Sequence, residues 1–591
     1  MRVPRRLRAL RTGVASIALL IPPAVAPRSG TTRRAASILF CLAALLLGLG
    51  TALLRTTAPA TTSTGVARWL RGTARAALVF FHLADRNRLK AETVSAGAQE
   101  ECRIVLMTNP PEQESDSTTS LAAMLIAAKQ ELSQFDSLLS ALQHAFAARQ
   151  HKVYLVGGSV RDALLGRLSH DLDFTTDARP NVVLEILESL TPVVWDTGLA
   201  FGTVSAEIEG MQVEITTFRS DSYDGQSRNP EVQYGDTLEG DLVRRDFRVN
   251  AMALELGQTE PIFHDPLGGL QDLAARILDT PATPEQSFHD DPLRMLRAAR
   301  FVSQLEFELA PRVSEAMKAM AGQIERISVE RVQMELDKLM LGRAPWEGIR
   351  AMVDSGLAEY IYPEIPALQL TQDEHRQHKD VYEHSLKVLR QAVDLEDEPD
   401  LVLRWAALTH DIGKPDTREF HEDGRVSFHQ HEVVGARLVR RRMRALKYSK
   451  QMTKDVGQLV FLHMRFHGFS ENAWTDSAVR RYVSDAGHLL PQLNKLVRAD
   501  VTTRNRRKAQ RLQRLFDLFS QRIADIAAKE DLAKVRPDLD GNEIMELLGL
   551  PPGPEVGRAW KYLKELRLER GPMEREEAIE ALQLWWAAQK G

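Results

Sequence analysis

The stretch from Val153 to Pro180 constrains this chain more than any other. Val153-Tyr154-Leu155-Val156 is apolar and partly β-branched, which predicts a buried strand. It runs directly into Gly157-Gly158 and then a helix-like run with Arg161 and Asp162. Glycines let backbone N–H groups approach a phosphate closely, and a helix start adds a favourable dipole. Asp171-Leu172-Asp173 follows in a short β-like segment. Residues i and i+2 of a strand share a face, so the two carboxylates should point the same way. A Gly-Gly pair alone is usually only a turn, and Asp-x-Asp alone is usually loop or capping chemistry. In this order and this close, they suit a Mg²⁺ site for phosphoryl or nucleotidyl transfer.

Four later segments carry matching chemistry. Val213 to Arg219 reads as a strand with Glu214 near its start. Asp241 to Ala251 contains Arg244-Arg245-Asp246, and arginines suit a triphosphate because they donate bidentate, charge-assisted hydrogen bonds. Asp290 to Phe301 reads as one helix with Pro292 in its first turn. There Asp291 and Arg294 stand at i and i+3, side by side. An acceptor beside a guanidinium donor matches the Watson–Crick edge of cytosine and of adenine, which show an amino donor and a ring-nitrogen acceptor. Guanine and uracil present an N–H at that ring position, so one Asp/Arg pair can select C and A. Read alone, the pair is a surface ion pair of little worth. Arg331, Glu335 and Lys338 share one helix face.

These five segments, in order from Val153 to Lys338, resemble the motifs of class II of the nucleotidyltransferase superfamily, which holds bacterial CCA-adding tRNA nucleotidyltransferases and poly(A) polymerases. The first resembles motif A, and Val213 to Arg219 resembles the family's Glu-[hydrophobic]-Thr-Thr-Phe-Arg segment. Asp241 to Ala251 resembles motif B, usually Arg-Arg-Asp-Phe-Thr-x-Asn-Ala, with Arg248 in place of the Thr. The helix resembles motif D, Glu-Asp-x-x-Arg, with Asp290 in the Glu place, and the last segment resembles motif E. The resemblance implies Mg²⁺ held by Asp171 and Asp173 with Glu214 nearby. It implies a triphosphate held by Gly157, Gly158, Arg161, Arg244 and Arg245, and a base chosen by Asp291 and Arg294 with help from Arg297 and Arg300. Arg331, Glu335 and Lys338 are read as bracing the neck helices. The implied substrates are CTP, ATP and the 3′ end of tRNA, joined without a nucleic-acid template. Poly(A) polymerases and partial CC- or A-adding enzymes share these motifs.

Ten of the 16 histidines fall between His375 and His488. Among them His384, His410-Asp411 and Asp500 have the order His…His-Asp…Asp, and Trp405 to Lys414 resembles the HD phosphohydrolase signature. Two imidazoles and two carboxylates suit a divalent transition metal with positions open for water. His431-Glu432 and His463 are further candidates for ligands or phosphate contacts. In tRNA nucleotidyltransferases carrying such a domain, the resemblance implies phosphatase or 2′,3′-cyclic phosphodiesterase activity. An HD hydrolase with a degenerate head is the alternative from another class, opposed by the intact Asp171, Asp173, Asp291 and Arg294.

At 591 residues the chain has room for several domains. The expected fold is α+β: a nucleotidyltransferase head with a small mixed sheet over 121–275, then an all-α neck over 276–345. An HD-type body over 346–510 and a helical tail over 511–591 complete it. Leu121 to Arg149 should pack beside the sheet, and Arg219 to Thr237 reads as a mobile polar loop. Residues 1–106 read as an extension outside the enzyme fold, and 107–120 as a polar linker. Before Met107 the chain carries 16 Lys and Arg against 4 Asp and Glu, net +12; the rest carries 60 against 76, net −16. Both cysteines, Cys41 and Cys102, lie in that extension, so no disulfide framework or cysteine zinc site is expected. The apolar run 36–54 is long enough for a membrane span. A membrane anchor has no evident use for soluble tRNA, so a cytoplasmic enzyme starting near Met107 is the expectation, with no protein partner implied. The acidic body excludes indiscriminate nucleic-acid binding, leaving RNA to local basic runs such as Arg437 to Lys450 and Arg498 to Arg514.

Overall fold

The computed structural model describes residues 121–590 except 220–233, 258–260, 371–379, 424, 467–473, 504 and 531–535. The extension, its apolar run, the linker and most of the Arg219 to Thr237 stretch therefore lie outside the described residues.

A seven-stranded sheet organises the head, in the order β3-β4-β5-β2-β1-β6-β7. The strands are β1 (Val153–Val156), β2 (Leu172–Thr176), β3 (Val194–Trp195), β4 (Thr203–Ile208), β5 (Met211–Thr217), β6 (Ala253–Glu255) and β7 (Ile262–His264). β2 and β5 run parallel; the other neighbours are antiparallel. β1 is central and every residue in it is buried, which is why it reads as an unbroken apolar run. Strand alternation splits the packing. Val153, Leu155, Leu172, Phe174, Val213 and Ile215 join the main core, where helices α1 (Leu121–Ser133), α2 (Asp136–Ala148), α3 (Gly158–Leu164) and α4 (Pro180–Leu190) contribute. Tyr154 and Val156 face the other side with Phe218, Leu242 and Ala251. Asp173 and Glu214 alternate with core residues and so must point to that second side.

Two short helices, α5 (Leu238–Val243) and α6 (Gly269–Ala275), complete the head. Beyond Pro284 the chain is helical apart from short two-stranded ladders. In order come α7 (Pro284–Asp290), α8 (Leu293–Leu305), α9 (Pro311–Met320), α10 (Val329–Met340), α11 (Pro345–Asp354) and α12 (Leu357–Ile361). Next are α13 (Val381–Val393), α14 (Leu401–Thr409), α15 (His431–Ala445), α16 (Lys450–Leu462), α17 (Asp476–Ala486), α18 (Leu490–Ala499) and α19 (Arg506–Ala527). The tail helices are α20 (Gly541–Leu548), α21 (Pro554–Arg570) and α22 (Arg575–Lys590), which close a separate small core around Ile544, Leu563 and Leu582. This is the expected α+β head followed by an all-α remainder.

The helix expected from Asp290 to Phe301 is two helices. α7 ends at Asp290, Asp291 is extended (φ −139°, ψ 99°), and α8 starts after Pro292. Proline disfavours the helical region for the residue before it, so Pro292 breaks the run instead of sitting inside it. Leu121 to Arg149 likewise forms two helices, interrupted at Gln134 and Phe135.

Candidate active site and metal centre

The Gly-Gly turn joins β1 to α3. Gly157 has φ +67°, where an L side chain is strained. A Cβ there would also lie 3.0 Å from Arg245 Nη1 and 3.9 Å from Asp173 Oδ2, so glycine lets that guanidinium lie beside the turn. Ser159 ties the turn to the carboxylate strand. Its hydroxyl donates to the Asp171 carbonyl at 3.3 Å and accepts the Asp173 N–H at 3.0 Å. On the parallel pair β2 and β5, Asp173 is the register partner of Glu214, and both are exposed on the same face. Protein crowded around the Asp173 carboxyl raises its pKa. Glu214 and Asp171 add to the rise, against the pull of Arg245 and Arg161. Like-charged carboxylates side by side on neighbouring strands are a donor set that a divalent cation would relieve.

Asp173 and Glu214 form one wall of a cavity of about 360 Å³. Arg244, Arg245, Arg294, Arg297 and Arg331 stand around the rest of it, with Asp291 among them. Asp171 is exposed just before β2 and does not line it. Arg244 and Arg245 are anchored by Asp241, a fully buried carboxylate that receives Arg244 Nε and Arg245 Nη2, each at 3.0 Å. Burial pushes Asp241 up, but the two guanidiniums win and hold it below its ordinary value. Asp246 accepts from Asn250 Nδ2 and the Phe247 N–H at 2.9 Å and from Arg297, and its pKa falls far below the usual range despite burial.

Asp291 and Arg294, expected side by side, both line the cavity, and the Arg294 N–H donates to the Asp291 carbonyl at 3.0 Å, but their side chains take other partners. Arg294 donates to Ser287 Oγ at 2.8 Å and to the Arg244 carbonyl at 2.6 Å. Asp291 instead caps the Leu293 N–H at 3.1 Å and accepts from Arg331 at 3.0 Å. The reason is the break at Pro292, which takes Asp291 off the helix that carries Arg294. Arg331, expected to be a brace, therefore stands in the cavity wall, while its helix neighbour Glu335 does brace, reaching Arg300 at 3.2 Å and Arg297 at 3.6 Å.

Arg161, expected at the triphosphate, and Arg300, expected to help choose the base, do not line the cavity. Arg161 and Arg300 are buried and pack their guanidiniums over the Phe301 ring, at 5.3 Å and 4.1 Å from its centre. Arg161 donates to Asn250 Oδ1 at 2.5 Å and pairs with Asp162 at 2.7 Å. Burial, followed by the charge of Arg297, lowers Arg300 to about 10. Arg161 thus joins the head to the neck, while Arg300 is braced within the neck by Phe301 and Glu335. Arg248, which stands where the family has Thr, turns to Asp279 at 3.2 Å. Arg312 holds the same Asp279 at 2.7 Å, so this too is a head–neck joint.

The second constellation comes together from α13 and α15 and from the C-terminal ends of α14, α16 and α18. His384 Nε2 lies 3.1 Å from Asp500 Oδ1, 3.2 Å from His410 Nε2 and 3.4 Å from Asp411 Oδ2. His431 and His463 approach the other oxygen, Asp411 Oδ1, at 3.4 and 3.9 Å. Asp411 thus sits between two pairs of imidazoles, and each side forms a group able to hold a metal ion. Every ring is oriented through Nδ1: His410 to the Ala407 carbonyl at 2.9 Å, His431 to Phe428 at 2.8 Å and His463 to Val460 at 2.7 Å. His384 Nδ1 bonds Thr502 Oγ1 at 3.1 Å. Fixing Nδ1 against protein oxygens leaves Nε2 lone pairs converging inward, the arrangement of metal-ligating histidines. Burial pushes His463 down to about 3, with His410 adding to the effect. Glu432 stays beside His431 at 3.8 Å and is in neither group. Among the described residues no helix is long and apolar enough to cross a membrane.

The basic runs divide. On α15, Arg441 and Arg442 pair with Glu364, while Arg437 and Arg444 are exposed. Lys447, just beyond it, pairs with Glu330. Arg498 pairs with Asp517 at 2.6 Å.

Sheet, glycine turn and acid-and-arginine cavity define a nucleotidyltransferase head, and the histidine cluster defines an HD domain beside it. Residues 153–279 match the poly(A) polymerase head domain, 306–368 a domain described as a probable RNA and SrmB-binding site of polymerase A, and 381–503 the HD domain. The A-adding tRNA nucleotidyltransferase of Deinococcus radiodurans is 36% identical over 420 residues, covering 70% of this chain and 91% of its own length. The CCA-adding enzyme of Bacillus licheniformis is 39% identical over 236 residues, 57% of its length, so the chain matches little more than half of that relative. The crystal structure of the Bacillus stearothermophilus CCA-adding enzyme in complex with CTP matches with a TM-score of 0.56 at 25% identity, over 77% of this chain and 98% of the other. The chain belongs to the family of tRNA nucleotidyltransferases that contains the A-adding and CCA-adding enzymes.

Proposed function

We propose that this protein adds CMP and AMP, from CTP and ATP, to the 3′ end of tRNA without a nucleic-acid template. The observation that carries the reading is the cavity in which Asp173 and Glu214 face Arg244, Arg245, Arg294 and Arg297 with Asp291 alongside. Asp173 and Glu214 on the cavity wall, with Asp171 just outside it, would hold Mg²⁺, which when bound supplies Lewis-acid activation of the attacking 3′-hydroxyl and charge neutralisation at the leaving pyrophosphate. The N–H groups at Gly157 and Gly158 and the guanidiniums of Arg244 and Arg245 grip the triphosphate, pre-aimed by Asp241, so little reorganisation is needed on binding. Asp291 accepts the amino group of C or A, and Arg294 donates to the ring nitrogen after leaving the Arg244 carbonyl. Arg297, locked to Asp246, keeps the base-reading helix seated on the head. We assign these steps to residues 121–345, with the HD body over 346–510 and the exposed arginines of α15 available to the RNA backbone. Soluble tRNA and NTPs make the cytoplasm the expected setting.

The A-adding relative covers most of both chains, which favours a second reading in which only AMP is added. Incubating the protein with tRNAs ending at the discriminator base, at C and at CC, with each NTP separately, and sequencing the 3′ ends decides between them. C addition to the shortest tRNA supports the first reading; addition only of A to the CC end supports the second.

The histidine cluster supports a further hydrolytic activity on a phosphoester, of which a 2′,3′-cyclic phosphate is the test substrate. His384, His410 and Asp411 would hold a divalent transition metal, with Asp500 the further acid 3.1 Å from His384 Nε2, and His431 and His463 would hold another on the far side of Asp411. Such a metal supplies a nucleophilic hydroxide near neutral pH. Assays with Mg²⁺, Mn²⁺, Ni²⁺ and Co²⁺ test it, and no cleavage with any of them would contradict it.

A further inference from the structure

We infer that Arg331 is a positioning residue for base selection, acting through Asp291; this rests on the nucleotide-adding reading above. Asp291 has left the helix that carries Arg294, so its carboxylate has no orienting neighbour on α8 except the Leu293 N–H that it caps at 3.1 Å. That bond fixes Oδ1 alone. The other oxygen, Oδ2, is held by Arg331 Nη2 at 3.0 Å. With both oxygens tethered the carboxylate plane is set, yet each oxygen keeps a further lone pair, so Asp291 can still accept an amino hydrogen from a base.

The helix that supplies Arg331 is itself indexed to the base-reading helix. Glu335, one turn on from Arg331 and on the same face of α10, is buried against Arg300 and Arg297 of α8. α10 therefore grips α8 with one side chain and Asp291 with the next. An isolated ion pair with a half-exposed arginine contributes little to stability. This one lies in the wall of the cavity beside Arg244 and Arg294, where direction matters more than stability. Arginine suits the task because its planar fork fixes a carboxylate in angle as well as distance.

The test is a double-mutant cycle read on nucleotide choice. kcat/KM for CTP, ATP, UTP and GTP is measured with tRNA for the wild type, Arg331→Ala, Arg331→Lys, Asp291→Ala and the Arg331→Ala/Asp291→Ala pair. Melting temperatures confirm folding, and inhibition by pyrophosphate reports the grip on phosphate. Arg331→Ala is expected to lower kcat/KM for the preferred nucleotides about tenfold, the scale of one hydrogen bond to a charged group. UTP and GTP should change little, pyrophosphate inhibition should be unchanged, and Arg331→Lys should recover part of the preference. In the Asp291→Ala background, removing Arg331 should cost nothing more. Additive losses, equal losses for all four nucleotides or an unaltered preference would overturn the inference. A folded wild type that adds no nucleotide at all would overturn the reading beneath it instead.

Discussion

The Ser159 hydroxyl accepts the backbone N–H of Asp173 at 3.0 Å, while donating to the Asp171 carbonyl two residues earlier. One buried side chain beside the glycine turn thus holds both Asp171, just before β2, and Asp173, on it. The glycine turn proposed to grip phosphate and the strand proposed to hold the metal cannot shift separately while that bond pair holds.

Ser159→Ala should leave the Asp173 N–H without its partner, a cost of about 1–3 kcal/mol. The expected outcome is a modest fall in melting temperature with a larger fall in kcat, about 10- to 100-fold, since small misplacements of catalytic groups are expensive in rate. Steady-state kinetics beside thermal denaturation check this. An unchanged kcat in a folded variant would show that the turn and strand are held by other means.

Arg161 and Arg300 separate structural from substrate-binding arginines. Arg300→Ala would leave Glu335 buried without its closest cation, and breaking a buried pair costs about 3–5 kcal/mol. Arg245→Ala, on the cavity wall, should instead raise KM for NTP with a smaller stability loss. Denaturant midpoints and KM values for Arg161→Ala, Arg300→Ala and Arg245→Ala check the sorting. A raised KM at unchanged stability for Arg300→Ala would return it to base recognition.

How far the sequence carries depends on the kind of contact. The glycine turn beside Asp173 and the convergence of His384, His410 and Asp411 were legible because short spacings fix them locally, whereas Asp171, one residue before the strand, stays outside the cavity. Which face of a helix meets the head is set by docking, so Arg161 and Arg300, indistinguishable by spacing from cavity arginines, turned out to be buried at the Phe301 joint. Asp291 and Arg294 both reach the cavity wall as their spacing suggests, but the effect of Pro292 on the preceding residue sets Asp291 ahead of the helix, where its carboxylate meets Arg331. Signals for the missed residues existed. Asp241 stands three and four residues before the arginines it anchors, and Ser159 directly follows the glycines. Nothing local marks Thr502, whose partner His384 is 118 residues away.

The HD centre should be separable from nucleotide addition. His410→Ala is expected to abolish tight binding of Ni²⁺ or Mn²⁺ and any cyclic-phosphate cleavage while sparing nucleotide addition. Thr502→Val, which keeps shape but loses the hydroxyl that orients His384, should weaken metal affinity about 10- to 100-fold, with Thr502→Ser close to wild type. Calorimetric metal titration reads this without any assay of activity. Equal affinities for Thr502→Val and wild type would mean that His384 is not held through that hydroxyl.

The most direct test of the account is nucleotide incorporation by Asp173→Ala. Asp173 faces Glu214 across β2 and β5 at the foot of the arginine-lined cavity, and it contacts no residue of the basic helices proposed to meet RNA. Single-turnover extension of a tRNA lacking its 3′ end, with tRNA affinity measured in parallel by filter binding, gives both quantities from one preparation. The account predicts loss of incorporation with tRNA affinity within about twofold of wild type, the electrostatic contacts with the backbone being intact. Near-normal incorporation by Asp173→Ala would contradict it.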